Sequence, residues 1–313
     1  MLPPISAHLH DLIQNFSEKD TFLLDDTTVA FDQQRYQRIF DLPETRTIAF
    51  VDGGQAEIVR AGNFTVSFIR IHAQIFADLK KKDFQHHEFF VVTTANWHHD
   101  KIWYKSVIFT EKEKLFPEEQ LFVDSADPLL RRGAERAGTD LIMSMARRFA
   151  ELAVAKKINA DFVVLDGTLE ATFPGEEKVL AELPSTVCAI AKSSSLLTQK
   201  GNSPAVLLQK YGLTQPWFYP LNERTAFVKL HANAKHVFRF AGNREVLPYL
   251  LPHAADALFL GYPYGLVFAD KMARVSNQEQ KALSARILLS SENKDILEYL
   301  TTQDAHAILD SLG

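Results

Sequence analysis

The chain has 313 residues, 46% hydrophobic and 23% charged, which is enough apolar material for a sizeable core and argues against global disorder. Its 34 basic and 39 acidic residues give a formal charge of −5, which counts against a broadly basic nucleic-acid surface but permits a local basic channel. The single cysteine, Cys188, excludes an intrachain disulfide and favours a reducing, cytoplasmic compartment. No apolar stretch approaches the roughly 20 residues that cross a bilayer, so we expect no membrane segment.

The first half of the chain predicts helix and then antiparallel strands. Residues 1–44 are polar and predict an N-terminal helical segment. The apolar run Thr47–Val51, followed by Asp52-Gly-Gly, predicts a buried strand that ends in a tight turn. Three runs rich in β-branched and aromatic residues predict antiparallel strands joined by short connections: 64–72, 88–94 and 102–109.

Helical spacing then takes over. Asp127-Pro is a helix-start signal, and Leu141, Met145, Phe149 and Leu152 recur on one helical face up to about Ile158. The remaining elements are strands at 161–166 and 186–191, a hairpin at 225–231 and 236–240, and helices from Ala269 onward. This order predicts an α/β fold with an RNase H-like mixed sheet flanked by helices, an added β-hairpin and terminal helices.

Two aspartates have matched positions. Asp52 and Asp166 each follow an apolar strand and each precede glycine, in Val51-Asp-Gly and Leu165-Asp-Gly. If the sheet brings the two carboxylates together, their mutual repulsion requires a cation, and oxygen ligands suit Mg²⁺ or Mn²⁺. A single Asp-Gly is more often only a turn, so the residues alone leave both readings open.

An ordered set of short motifs resembles the NurA nuclease family. The set comprises Asp52-Gly-Gly, Leu165-Asp166-Gly-Thr-Leu169, Ile190-Ala-Lys192-Ser, Tyr262-Pro-Tyr264, Ala269-Asp270-Lys and Ala273-Arg-Val-Ser276. The resemblance divides the chain into an N-terminal helical segment (1–44), a NurA-like nuclease domain (45–290) and a C-terminal helical tail (291–313). It implies an exonuclease, with a possible endonuclease activity, that works with a HerA-type hexameric ATPase in DNA end processing and repair, and it implies a homodimer.

The resemblance also implies the site residues. Asp52, Asp166, a helical glutamate and Asp270 would hold two Mn²⁺ or Mg²⁺ ions. The glutamate falls on Glu151, with Glu135 as second choice. Tyr262 would contact the phosphate or orient a ligand, and Lys192 would neutralise a phosphate as a point charge.

The sequence departs from the family at two of these positions. Asp270 stands where some members have histidine, and aspartate is a competent ligand for the same cations. Gly54 stands where serine is common, which removes a hydrogen bond outside the metal site. The implied reaction is two-metal phosphodiester hydrolysis, in which one cation activates the attacking water and the other stabilises the leaving oxygen.

Other functions are left as alternatives. One is a catalytically inactive RNase H-like scaffold that binds DNA or an ATPase partner. Another is an actin-like sugar kinase, but the sequence has no G-x-x-x-x-G-K-[ST] loop for ATP phosphates. A zinc site at His86-His87 is disfavoured because neighbouring residues of a strand point to opposite faces.

Overall fold

The computed structural model describes residues 2–14, 20–24, 27–131, 136–290 and 293–303. Over these residues, no helix combines the length and apolar character needed to span a membrane. Backbone contacts divide the chain into two compact units. The larger unit comprises Thr47–Leu165, Leu169–Val187 and Gly265–Gly313, and the smaller unit comprises Met1–Arg46, Asp166–Thr168 and Cys188–Tyr264.

The helices and strands are, in chain order, α1 (Leu2–Gln14), β1 (Thr21–Leu23), β2 (Thr28–Ala30), β3 (Gln37–Arg38), β4 (Thr47–Arg60), β5 (Phe64–Ala77), β6 (Lys80–His98), β7 (Lys101–Phe109), β8 (Val123–Asp124), α2 (Thr139–Lys157), β9 (Phe162–Asp166), α3 (Glu176–Ala181), β10 (Val187–Ala191), α4 (Pro204–Tyr211), β11 (Trp217–Pro220), β12 (Thr225–Lys229), β13 (Phe238–Ala241), α5 (Leu247–Leu250), α6 (Tyr264–Ala273), α7 (Asn277–Leu288) and α8 (Lys294–Gln303).

A mixed sheet with the strand order β9-β4-β5-β6-β7-β8 forms the centre of the larger unit. β4 to β8 are antiparallel neighbours, whereas β9 runs parallel to β4. Two-residue turns join β5 to β6 at Asp78-Leu79 and β6 to β7 at His99-Asp100. All four of these residues have a positive φ. Such turns match the twist of adjacent antiparallel strands. The predicted mixed sheet and its antiparallel strands are therefore confirmed, and the strands are longer than predicted.

β4 differs from its prediction because it does not turn after Asp52. The strand continues through Gly53 and Gly54 to Arg60, and it stays paired with β5 at Asp52↔His72 and Gly54↔Arg70. The two glycines do not form a turn, and they instead allow other parts of the chain to pack closely against β4. Asp52 thus lies in the middle of a strand.

Helix α2 packs across β4, β5 and β6. Met145, Phe149 and Leu152 of its predicted apolar face are buried. The predicted start at Asp127 is wrong, because the Asp127 side chain caps only a turn, through the backbone N–H of Leu129, and α2 begins at Thr139.

The smaller unit contains an antiparallel sheet in the order β3-β11-β12-β13-β10. The predicted hairpin is confirmed as β12 and β13. Cys188 is buried on β10, as expected for a lone free cysteine. Among the described residues up to position 44, α1 is followed by short strands and one 3-10 turn at Gln33–Arg35 rather than by further α-helix, and Phe22 and Phe31 join an aromatic core with Trp217 and Tyr219.

Candidate active site

Three residues predicted from the sequence meet in the smaller unit. The Nζ of Lys192 lies 2.5 Å from Oδ2 of Asp166, and the hydroxyl of Tyr262 donates to Oδ1 of the same carboxylate at 3.2 Å. The Lys192 ammonium also lies 5.4 Å from the centre of the Tyr262 ring. Lys192 and Tyr262 lie 26 and 96 residues after Asp166 in the sequence, and between them they contact both oxygens of its carboxylate.

Local structure explains how these side chains are held. Asp166 is the last residue of β9, and Gly167 turns the chain with φ of +106°, which side chains disfavour. The backbone N–H of Gly167 donates to Ile190 two residues before Lys192, at 3.0 Å. Tyr262 is buried against Phe238, with ring centres 5.1 Å apart. The tyrosine is fixed by packing, whereas the Lys192 side chain is 52% exposed.

Asp52 is a buried carboxylate in the larger unit. Its Oδ1 accepts the backbone N–H of Gly53 at 2.7 Å. Val51 pairs with Leu165 in the parallel register of β4 and β9, so Asp52 and Asp166 are the residues that follow the last paired positions.

Glu151 projects from α2 toward the backbone of β4 and is also buried. The guanidinium of Arg147 donates to Oε1 of Glu151 at 2.7 Å and to the carbonyl oxygen of Gly53 at 3.1 Å. A Cβ on Gly53 would lie 2.6 Å from Oε1 of Glu151, so only glycine leaves room for this carboxylate. The sequence carries a signal for the Arg147–Glu151 pair, because residues four apart face each other on a helix.

The side chains of Asp52 and Glu151 lie on opposite faces of β4. Gly53 and Gln55 face α2, where Gln55 bonds Ser144 at 3.0 Å. Because side chains alternate along a strand, Asp52 and Gly54 face the other side. A Cβ at Gly54 would overlap the carbonyl oxygen of Ala273 on that side. Glycine at position 54, where the resemblance implies serine, is therefore explained by close backbone contact with the end of α6.

A second ion pair, which the sequence did not reveal, lies behind Glu151. Arg148 donates from Nε to Oε1 of Glu176 at 2.7 Å, and its Nη1 lies 3.9 Å from Oε2 of Glu151. Glu176 has no accessible surface, and its Oε2 accepts the backbone N–H groups of Thr172 and Phe173. Glu176 is remote in sequence from α2, so no local spacing predicts this contact.

Asp270 lies on α6 and forms an ion pair with Arg274 at 2.7 Å, one helical turn on. The Arg274 side chain is 70% exposed, so this pair is loosely held and of little energetic weight. Glu135, the second choice for the helical glutamate, lies outside the described residues.

The cross-strand neighbour of Asp52 is a neutral histidine. His72 is buried, and burial is the main cause that lowers its pKa to about 4, with the charge of His86 as the next. His72 therefore supplies no positive charge to Asp52 at neutral pH.

Nearby, Arg70 bonds Glu88 at 2.6 Å and also pairs with Glu279, and these contacts lower the pKa of both carboxyl groups.

The donor chemistry of the predicted ligands fits a hard divalent cation, because all four are carboxylates and two of them are buried. Three carry a basic partner: Glu151 has Arg147, Asp166 has Lys192 and Asp270 has Arg274. Within the part of the chain that the structure describes, no three His, Cys, Asp or Glu side chains are grouped so that they could hold a metal ion. A cation would therefore compete with these basic partners for the carboxylates.

No protein-family model matches the sequence, and no curated protein matches it either. Among solved structures, the NurA nuclease from Sulfolobus solfataricus matches with a TM-score of 0.54 and 13% identity, over 94% of this chain and 95% of that one. A second NurA structure matches with a TM-score of 0.49 and 9% identity, over 85% and 93%. Endonuclease V of Ciona intestinalis bound to DNA matches with a TM-score of 0.36 and 15% identity, over 77% and 91%. The predicted RNase H-like fold is confirmed, and the chain has the fold of the Sulfolobus NurA nuclease along nearly its whole length.

Proposed function

We propose that the protein is a metal-dependent DNA nuclease that hydrolyses phosphodiester bonds. The observation that carries the proposal is the contact of Asp166 with Lys192 and Tyr262, in a chain with the fold of the Sulfolobus NurA nuclease. The resemblance implied these three residues together, and their convergence was not derivable from their spacing. The proposed metal ligands are Asp52, Asp166 and Asp270. The resemblance also implies Glu151, but this side chain lies against the opposite face of β4 from Asp52 and would not share a cation with it in this arrangement.

A bound Mn²⁺ or Mg²⁺ supplies Lewis-acid chemistry to phosphodiester hydrolysis. The chain's own residues orient and balance the charges around it. Tyr262 donates to Oδ1 of Asp166 and fixes the plane of that carboxylate. Lys192, half exposed, is able to leave Asp166 and pair with a DNA phosphate. Arg147 holds Glu151 against the backbone of β4.

The test is a cleavage assay on end-labelled DNA with Mn²⁺ added or chelated. We expect metal-dependent cleavage that Asp52→Asn and Asp166→Asn abolish while the circular dichroism spectrum and Tm stay unchanged. Asp161→Asn is the matched control, because Asp161 directly precedes β9 and its exposed carboxylate accepts hydrogen bonds from the backbone N–H and the hydroxyl group of Thr47. Full activity in both Asp52→Asn and Asp166→Asn overturns the site assignment.

The alternative is an inactive scaffold of the same fold that binds DNA or an ATPase. Two observations favour this alternative. Three of the predicted ligands form ion pairs with an arginine or a lysine, and among the described residues no three potential ligand side chains are already grouped to hold a metal ion. Retained DNA binding without cleavage in Mn²⁺ or Mg²⁺ would support this alternative.

The proposal includes the implied partners, a HerA-type hexameric ATPase and a second copy of the chain, in DNA end processing. Light scattering of the purified protein tests the homodimer. Cleavage with and without the ATPase tests the partnership, and stimulation by the ATPase is the expected result.

A further inference from the structure

A groove on the larger unit is lined mostly by cationic and polar side chains. It has a volume of about 190 Å³ and lies between β6, the segment after β7 and the last turn of α2. β6 contributes Gln85 and His87, the segment after β7 contributes Lys112 and Lys114, and α2 contributes Lys157. None of the proposed metal ligands lines it.

The positive charge of this groove is only partly compensated. Lys114 is paired with Glu118 at 2.7 Å, and Glu113 is an exposed acid at the groove. Among the described residues, no carboxylate forms an ion pair with Lys112 or Lys157. Lys112 is held in place instead, because its Nζ donates to the carbonyl oxygen of His86 at 2.9 Å. Two lysine charges therefore face the groove without an acidic partner.

His87 reports the electrostatic character of the groove. Burial lowers its pKa, and the charges of Lys112, His86 and Lys157 lower it further. A place where protonation of an imidazole is opposed by lysine charges is a place where an anion is favoured. An anion seated there would reverse the effect and raise the pKa of His87.

We propose that this groove binds a backbone phosphate of a DNA strand, with Lys112 and Lys157 as the contacting cations. The inference rests on the proposed nuclease function for the identity of the ligand. Phosphate contacts of this kind fix the position of a strand without reading its sequence.

The experiment compares K112Q/K157Q with the wild type and with K178Q/K281Q, which removes two exposed lysines from α3 and α7 of the same unit. Binding of a fluorescein-labelled single-stranded oligonucleotide is measured by anisotropy at several KCl concentrations, with metal chelated to prevent cleavage. Each lost phosphate contact lowers the slope of log K against log salt by about 1. Because the two lysines are proposed to hold one phosphate, we expect K112Q/K157Q to lower the slope by about 1 and K178Q/K281Q to leave it unchanged. Equal slopes in all three proteins overturn the proposal.

A second measurement follows the His87 imidazole by NMR, with His87→Gln for its assignment. We expect the oligonucleotide to raise the pKa of His87 in the wild type and not in K112Q/K157Q. Inorganic phosphate that raises it equally, at equal concentration of phosphate groups, would make the groove a small-anion site and overturn the DNA assignment.

Cleavage in Mn²⁺ separates this inference from the proposed function. If K112Q/K157Q cleaves at the wild-type kcat with a raised KM, both stand. If the wild type cleaves DNA and the salt slopes are equal, only the groove assignment fails. If the wild type binds through the groove and does not cleave, only the proposed activity fails.

Discussion

Removal of the buried carboxylate of Glu176 gives a sharp test of the structure. Glu176→Ala deletes both the partner of Arg148 and the acceptor for the backbone N–H groups of Thr172 and Phe173. Arg148 is only 8% exposed, so water does not replace the lost carboxylate. The variant removes the carboxylate that the buried guanidinium contacts at 2.7 Å, leaving the Glu151 carboxylate at 3.9 Å, and it removes the acceptor of two backbone donors.

The expected loss of stability is large for one substitution. Breaking a buried ion pair by removing one partner costs about 3–5 kcal/mol, because an uncompensated charge stays in the interior. We therefore expect Glu176→Ala to lower the free energy of unfolding by about 4 kcal/mol. That is a substantial share of the roughly 5–15 kcal/mol that stabilises a typical native protein.

The assay is urea unfolding followed by circular dichroism, and the neighbouring residue provides a matched control. Glu177 lies next to Glu176 in the first turn of α3 but is exposed. Glu177→Ala removes only a favourable charge near the helix N-terminus, which contributes about 0.3–1 kcal/mol. A difference between the two variants of less than about 1 kcal/mol would refute the view that Glu176 anchors a buried network.

A double variant separates the charge from the packing. Replacing both members of a buried ion pair with apolar side chains of similar size is often close to neutral. We expect Arg148→Met with Glu176→Leu to be less destabilised than the sum of the two single variants, with a coupling energy of about 1–3 kcal/mol. Simple additivity would show that the two side chains do not interact.

Three further predictions follow from single contacts. Gly54→Ala places a Cβ against the carbonyl oxygen of Ala273. We expect this variant to lose about 1–3 kcal/mol of unfolding free energy, measured by urea unfolding. An unchanged stability would contradict the close approach of the two segments. Burial lowers the pKa of His253 to about 4. The stabilisation from the neutral imidazole is therefore complete above about pH 6.5, and the free energy of unfolding falls by up to about 3 kcal/mol as the pH decreases toward 4. His253→Gln does not protonate and should show a shallower decline of the unfolding free energy over that range, so parallel curves would refute this. Tyr262→Phe keeps the ring against Phe238 but removes the donor to Asp166, so we expect kcat for DNA cleavage to fall about 10-fold with an unchanged Tm, whereas an unchanged kcat would exclude a positioning role.

The fold was largely predictable because hydrophobic periodicity marks long elements well. The strands β5 to β7, the apolar face of α2 and the hairpin of β12 and β13 all carry clear patterns. Asp127-Pro has the chemistry of a helix start, yet it caps a turn, since capping residues serve both structures equally. Of the short strands before residue 44, β3 escaped prediction because its partner β11 lies far away in the sequence, whereas β1 and β2 pair with each other but have only three residues each, too few for a clear pattern.

The candidate site was predictable only in part. Asp166, Lys192 and Tyr262 were proposed from motif order and are in contact. The Arg148–Glu176 pair and the groove around His87 depend on which distant segments pack together, and one sequence does not encode that in any local spacing. The i,i+4 pair of Arg147 and Glu151 is the exception, because helix geometry alone would have found it.

The glycines after Asp52 show how a correct residue choice can rest on the wrong structural reason. The motif Asp-Gly-Gly predicts a strand end because glycine and aspartate favour turns. The strand instead runs straight through, and each glycine admits a different neighbour: Gly53 admits the carboxylate of Glu151, and Gly54 admits the backbone of Ala273. Side chains on opposite faces of one strand are thereby brought close to its backbone. A serine at position 54 would separate α6 from β4, so the glycine at that position is better explained by packing than by a lost hydrogen bond.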